Sequence, residues 1–154
     1  MKAMTSNERG FGLTELVVVV AVLGILTLLA VPSLVTYYQS SSLTAGAEQL
    51  AAVMNRARHL AISRNTSVCV ELSGTAVRLR TVSCAGTIWT GVGTDSAGTI
   101  QIANNLNVSG GPTAIFTNTG AATTAGTITF TLTDPKTSRS RNVQIVGTGR
   151  VTIQ

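Results

Sequence analysis

The stretch GFGLTELVVVVAVLGILTLLAVPSL, residues 10–34, decides how this chain is built. From Leu16 to Val35 twenty residues pass without a charge, broken only by Gly24, Thr27 and Ser33 as small or polar interruptions. A helix rises about 1.5 Å per residue, so this run can cross a hydrocarbon core of about 30 Å. Ahead of it lies MKAMTSNERG, residues 1–10, short, polar and net positive, with Lys2 and Arg9 to hold that end on the cytoplasmic side. An ordinary secretory signal is cut after its apolar region at a site of small residues. The nearest such site, Ala30-Val31-Pro32, has Leu28 where a small residue belongs. The processing signal therefore precedes the hydrophobic segment.

Glu15 is the residue in this stretch that calls for a reason. A carboxylate inside a membrane helix costs on the order of 3 kcal/mol at the helix centre. Cleavage after Gly10 would make Phe11 the new N-terminus, placing a positive amine four residues from Glu15. In a bundle of such helices, the amine of one chain and the carboxylate of a neighbour would neutralise each other in an apolar setting. Unpaired, the carboxylate is a penalty; paired, it sets the axial register between subunits. The plainer reading places Glu15 at the membrane interface, where it costs little.

Gly10-Phe11-x-Leu13-x-Glu15 before Leu16-Val17-Val18-Val19 resembles the prepilin signature of type IV pilins and type II secretion pseudopilins. Ala30-Val31-Pro32 is similar to that family's helix-kink position, at Pro32. The resemblance implies a prepilin peptidase that cuts after Gly10 and N-methylates Phe11, and an assembly role for Glu15. It further implies other pilins or pseudopilins and an inner-membrane assembly platform as partners. The expected location is the bacterial inner membrane as a single-pass precursor, then a periplasmic or extracellular filament. Gly12 and Thr14 depart mildly from the pattern.

Beyond the apolar run, the helix is expected to loosen around Gln39–Ser42 and then resume. Leu43, Ala47, Leu50, Ala51, Met54, Ala57, Ala61 and Ile62 fall on one face, an apolar stripe for packing on a second layer. Strands are expected at Thr66–Leu72, Ala76–Val82, Thr99–Ile102, Thr113–Phe116, Thr127–Thr133, Arg141–Val146 and Val151–Ile153. Ser73-Gly74-Thr75 and Asp134-Pro135-Lys136 read as turns. Residues 85–98, with Trp89, read as an irregular loop. The division is thus leader 1–10, membrane or filament-core helix 11–38, amphipathic helix 39–64 and β-rich domain 65–154.

Arg56-Ala57-Arg58-His59 through Asn65, leading into Val68-Cys69-Val70, resembles the GspH/FimT group of minor pilins and pseudopilins. Trp89-x-Gly91 with Asp95, and Gly149-Arg150-Val151, fit the same group. The implied fold is α+β, a long N-terminal helix packed on a small C-terminal domain of two antiparallel sheets. The implied function is a minor type IV pilin that primes or caps assembly; the alternative is a GspH-type pseudopilin supporting protein export.

Cys69 and Cys84 lie in the exported part. In an oxidising compartment they would close a loop of about sixteen residues, worth roughly 3 kcal/mol, with two free thiols as the alternative. Their spacing does not match a metal site. Residues 40–154 carry nine Arg or Lys and four acids, a net +5. Such a balance attracts anionic partners or simply solubilises. FimT-like pilins of natural transformation resemble DNA receptors with a C-terminal Gly-Arg-x-Arg motif; here Thr152 stands in the second arginine's place. Arg139, Arg141 and Arg150 are the candidates for DNA contacts, meeting phosphates without reading bases, with solvated surface charge as the plainer reading. His59 is the lone histidine, expected on the exposed flank. No Ser-His-Asp set, paired-carboxylate site or phosphate loop is apparent, and neither enzymatic activity nor a cofactor is expected.

Overall fold

The computed structural model describes residues 12–111, 113–123 and 126–154. The leader, with Gly10 and Phe11, lies outside the described residues. A single helix, α1, runs from Leu13 to Ser63, and the chain divides into compact units Met1–Tyr38 and Gln39–Gln154.

In the first unit, α1 is apolar on every side. Each large apolar side chain described from Leu13 to Leu28 is at least 45% exposed. A helix without a polar face is suited to burial in lipid or among other helices. Thr27 is tolerated in this run because its hydroxyl donates to the carbonyls of Leu23 (3.0 Å) and Gly24 (2.9 Å). Pro32 lies inside α1. Having no N–H, it omits one rung of the backbone ladder.

In the second unit α1 continues. Gln39–Ser42 does not interrupt it, contrary to the expectation from its polar side chains; the Ser42 hydroxyl donates back to Gln39 O at 2.9 Å. Leu43, Ala47, Leu50, Met54, Ala57 and Ala61 are buried at alternating steps of four and three, which is one face of a helix. Val53 joins them, and Ala51 is only partly buried. Ile62, expected on the stripe, is 46% exposed. Following Ala61 directly, it stands about 100° round the helix from the buried face.

Two four-stranded antiparallel sheets complete this unit. Strands β1 (Val68–Ser73), β2 (Ala76–Thr81), β3 (Thr99–Gln101) and β5 (Ala114–Phe116) form one, in the order β3-β2-β1-β5. The other has the order β4-β6-β7-β8, from Asn107–Ser109, Thr127–Thr133, Ser140–Val146 and Val151–Ile153. Strand β4 and the 3-10 turn Ala103–Asn105 were not expected from the sequence.

Alternation along β6 buries Ile128, Phe130 and Leu132, and along β7 Val143 and Ile145, in the register Ile128↔Ile145 and Phe130↔Val143. Val68, Val70, Val77, Leu79 and Phe116 meet them in the core. Gly46 lets Leu106 close onto α1, since a β-carbon there would overlap the leucine side chain. Gln49 ties the helix to the edge of the first sheet: its Nε2 donates to Gln101 O at 2.9 Å, and its Oε1 accepts from Ala103 N at 2.7 Å. Every residue of the core lies between Leu43 and Ile145, within the second unit.

Candidate functional site

Cys69 and Cys84 form a disulfide, with S–S 2.10 Å and Cα–Cα 5.1 Å. Cys69 is fully buried on the central strand β1, so the bridge holds the segment after β2 against the sheet. Val82, just before it, has φ of 75° and is 69% exposed, with its N–H donating to Ser67 O at 2.7 Å.

The irregular segment after the disulfide is organised by Trp89. Arg56 of α1 lies over the indole, 5.5 Å from the centroid, and its Nη1 donates to Val92 O. Gly91 packs where a β-carbon would run into the indole. Asp95 closes the segment by accepting from the N–H groups of Ala97 (2.9 Å) and Thr99 (2.7 Å). Trp89 thus packs the loop down, and the Arg56 motif read from the sequence supplies its partner.

The basic residues fall into separate groups. Arg56 is held by the Trp89 loop, Arg78 Nε donates to Thr99 Oγ1 at 3.0 Å, and Arg80 Nε pairs with Glu71 at 2.8 Å. Among the described residues no hydrogen bond or ion pair joins Arg58, Arg64, Arg139, Arg141 or Arg150 to an acid. Asp134, the acid nearest in sequence to Arg139, is committed to its own turn. It accepts from Lys136 N at 2.9 Å and from Thr137 Oγ1 at 2.8 Å. The backbone N–H of Lys136, then the Thr137 hydroxyl, hold its carboxyl below the ordinary aspartate value, against the opposing effect of burial.

The structure does not bring Arg139, Arg141 and Arg150 together. Arg141 opens β7, where Asn142 exchanges hydrogen bonds with the terminal Gln154. Arg150 occupies the turn at the other end of β7, with Val146 N donating to Arg150 O at 3.1 Å. Five residues of extended strand, about 17 Å, separate the two positions. Thr152 pairs with Gln144 in the β7–β8 ladder.

What the fold places against the turn that precedes Arg150 is Arg58 of α1. Gly149 N donates to Val146 O at 2.7 Å, closing the β7–β8 turn, and Gly120 N donates to Thr117 O at 2.8 Å, closing another. The two turns are joined by Ala122 N donating to Gly147 O at 3.0 Å. Arg58 Nε lies 3.0 Å from where a Gly120 β-carbon would stand and 3.2 Å from that of Gly149. That nitrogen is buried and has no hydrogen-bond partner among the described residues.

Elsewhere an opening of about 250 Å³ is lined by Glu71, Leu72, Val108, Ser109, Gly111 and Phe130, among others. Its ionisable residue, Glu71, is already engaged by Arg80.

At the other extreme of the chain, Glu15 sits in the first turn of α1, and its N–H donates to Gly12 O at 3.0 Å. It precedes the exposed apolar run directly. By length and composition α1 can cross a membrane.

The family described as type II transport protein GspH matches residues 46–149, and the prokaryotic N-terminal methylation motif matches residues 5–31. No curated protein matches the chain. Two crystal structures of the type IV minor pilin FimU of Pseudomonas aeruginosa (strain PAO1) are similar in fold. Their TM-scores are 0.56 and 0.58 at 21% identity, covering 73% and 77% of this chain and 92% of FimU. The minor pseudopilin EpsH from the type 2 secretion system of Vibrio cholerae is similar at TM-score 0.54 and 10% identity. That likeness covers 73% of this chain and 96% of EpsH.

Proposed function

The chain belongs to the GspH family of minor pilins and pseudopilins, and we propose that within it this is a minor type IV pilin that primes or caps pilus assembly. Its role is structural rather than enzymatic. One observation carries the reading: the run from Leu16 to Leu28 is apolar on all sides, every large apolar side chain described in it is exposed, and it follows Glu15 directly. The core of residues 39–154 is complete without it. Such a helix needs lipid before assembly and other helices after it. The N-terminal amine left by cleavage after Gly10 would meet Glu15 of a neighbour and set the register. A prepilin peptidase, the inner membrane and its assembly platform belong to this reading.

Replacing Glu15 with Val in cells tests it. Filaments and pilus-dependent motility are expected to be lost while the precursor still reaches the membrane. Undiminished assembly would refute the register role.

Capture of DNA is a finer part of the proposal, supported by Arg150, exposed on the β7–β8 turn and joined to no acid among the described residues. The second reading, a pseudopilin supporting export, is favoured by the fold shared with EpsH. Deleting the gene and assaying transformation and twitching beside protein secretion separates the two.

A further inference from the structure

The two sheets end in the edge strands β3, β5, β4 and β8, and an edge strand offers unpaired N–H and C=O groups to another chain. Three of these edges are closed. On β3, Thr99 O accepts from Asp95 N at 3.0 Å, and Gln101 O accepts from the Gln49 side chain. On β5, Ile115 O accepts from Thr123 N at 2.9 Å, and on β4, Val108 N donates to Gly74 O at 2.9 Å. Among the described residues the edge of β8 is the open one. Asn142 and Gln154 exchange hydrogen bonds and Val146 N donates to Arg150 O, so Arg150, Thr152 and Gln154 turn their backbone groups towards β7. In an antiparallel ladder the intervening residues turn theirs away. Val151 and Ile153 therefore point outward, and no hydrogen bond to another element reaches them among the described residues. Their side chains share the core face with Ile145 and Val143, their partners on β7, yet Val151 is only partly buried and Ile153 is 36% exposed. The edge is also basic. Exposed Arg150 stands at one end and exposed Arg141 at the other, about 17 Å away, while Asp134 is bonded within its own turn.

We propose that the outer edge of β8 docks an extended segment of a partner protein, added as an antiparallel strand with a carboxylate at each end. The site is independent of DNA capture and of how the apolar half of α1 is buried. Backbone hydrogen bonds to Val151 and Ile153 supply the affinity, and alternate side chains supply the selectivity. Residues directly opposite in an antiparallel pair share a face. The partner residues bonded to Val151 and Ile153 thus lay their own side chains on the core face, which suits β-branched apolar residues. The residue between them faces solvent and is free to be polar. Arg150 and Arg141 select acidic ends, about five residues of extended chain apart.

The test titrates the full chain in maltoside micelles with an end-blocked peptide of alternating Val and Thr that carries Glu at both ends. Amide hydrogen exchange is read by NMR. Exchange at the Val151 and Ile153 N–H groups should slow saturably, by about tenfold or more, while Thr152, already paired with Gln144, stays unchanged. N-methylating the peptide's Val amides should abolish this, and N-methylating its Thr amides should not. Exchanging both Glu for Lys should weaken binding about tenfold. Ile153→Pro removes an N–H that β7 does not use, so the melting temperature should hold while peptide binding is lost. If that variant melts early, the two methylated peptides decide. No protection at Val151 and Ile153, or equal binding of the Val-methylated peptide, would overturn the site. Loss of binding on methylating the Thr amides would overturn the antiparallel pairing, and equal binding of the Lys-ended peptide would overturn the acidic partner. Protection that grows with protein concentration before peptide is added would put a second copy on the edge, against the proposal as stated.

Discussion

Gly149 and Gly120 meet backbone to backbone: a β-carbon on Gly149 would overlap the carbonyl oxygen of Gly120. The β7–β8 turn and the turn after β5 are therefore a single packed junction, seated on α1 at Arg58 and Ile62. Gly149→Ala would impose a left-handed φ on a residue with a side chain and force the junction open. We expect a loss of about 2–4 kcal/mol, read from thermal or urea unfolding. A loss under about 0.5 kcal/mol would mean that the two turns separate freely.

The Cys69–Cys84 bridge lies wholly inside the second unit and closes a sequence separation of 15. Replacing both cysteines by Ala should cost about 3 kcal/mol, lowering the melting temperature by roughly 10 °C or more. Reducing agent should lower the wild-type melt towards the variant's and leave the variant unmoved.

Trp89 is the only tryptophan, so its fluorescence reports one loop. Arg56→Ala removes both the cation over the indole and the donor to Val92 O. A red-shifted emission and faster quenching by acrylamide are expected. The accompanying stability loss should be about 1–2 kcal/mol, from the cation–π contact and the hydrogen bond to a charged group.

Asp134 has its carboxyl held below the usual value by the Lys136 N–H and the Thr137 hydroxyl. A carboxyl depressed on folding stabilises the fold above its unfolded pKa, and that stability drains away as pH falls through its folded value. Unfolding at neutral pH should thus show the full contribution of this turn, and acid below the ordinary aspartate range should remove it. Thr137→Val should move the Asp134 titration upward, as followed by its carboxyl carbon shift in NMR. An unchanged titration would show that the hydroxyl contributes nothing.

Glu15 belongs to the first unit, whereas the core residues all fall between Leu43 and Ile145, in the second. Glu15→Gln should therefore change the melting of the globular unit by less than about 0.5 kcal/mol while impairing filament assembly in cells. A large change in melting would attribute the assembly defect to misfolding.

The parts of the architecture that depend on local pattern could be read from the residues in order. An apolar run from Leu16 to Val35 could be read as a helix long enough to cross a membrane, because length and composition are properties of the sequence alone. The stripe from Leu43 to Ala61 and the alternation of Thr127–Thr133 carry periods of a helix and a strand, set by backbone geometry within a few residues. The pairing of Cys69 with Cys84 was the simplest outcome for two cysteines in an exported domain. Strand β4 and the turn at Ala103–Asn105 were not legible, and Ile62, though apolar, stands about 100° round the helix from Ala61 and the buried face.

The grouping of arginines was another matter. Arg139 and Arg141 stand close to Arg150 in sequence, yet a strand places its ends about 17 Å apart over five residues. Arg58, ninety-two positions before Arg150, comes to the same turn because α1 packs against both sheets. Sequence by itself determined the helix and most of the strands, since these follow from short-range chemistry. Only the tertiary structure decided which charges share a surface, because that depends on how a helix face and two hairpin turns close over one core.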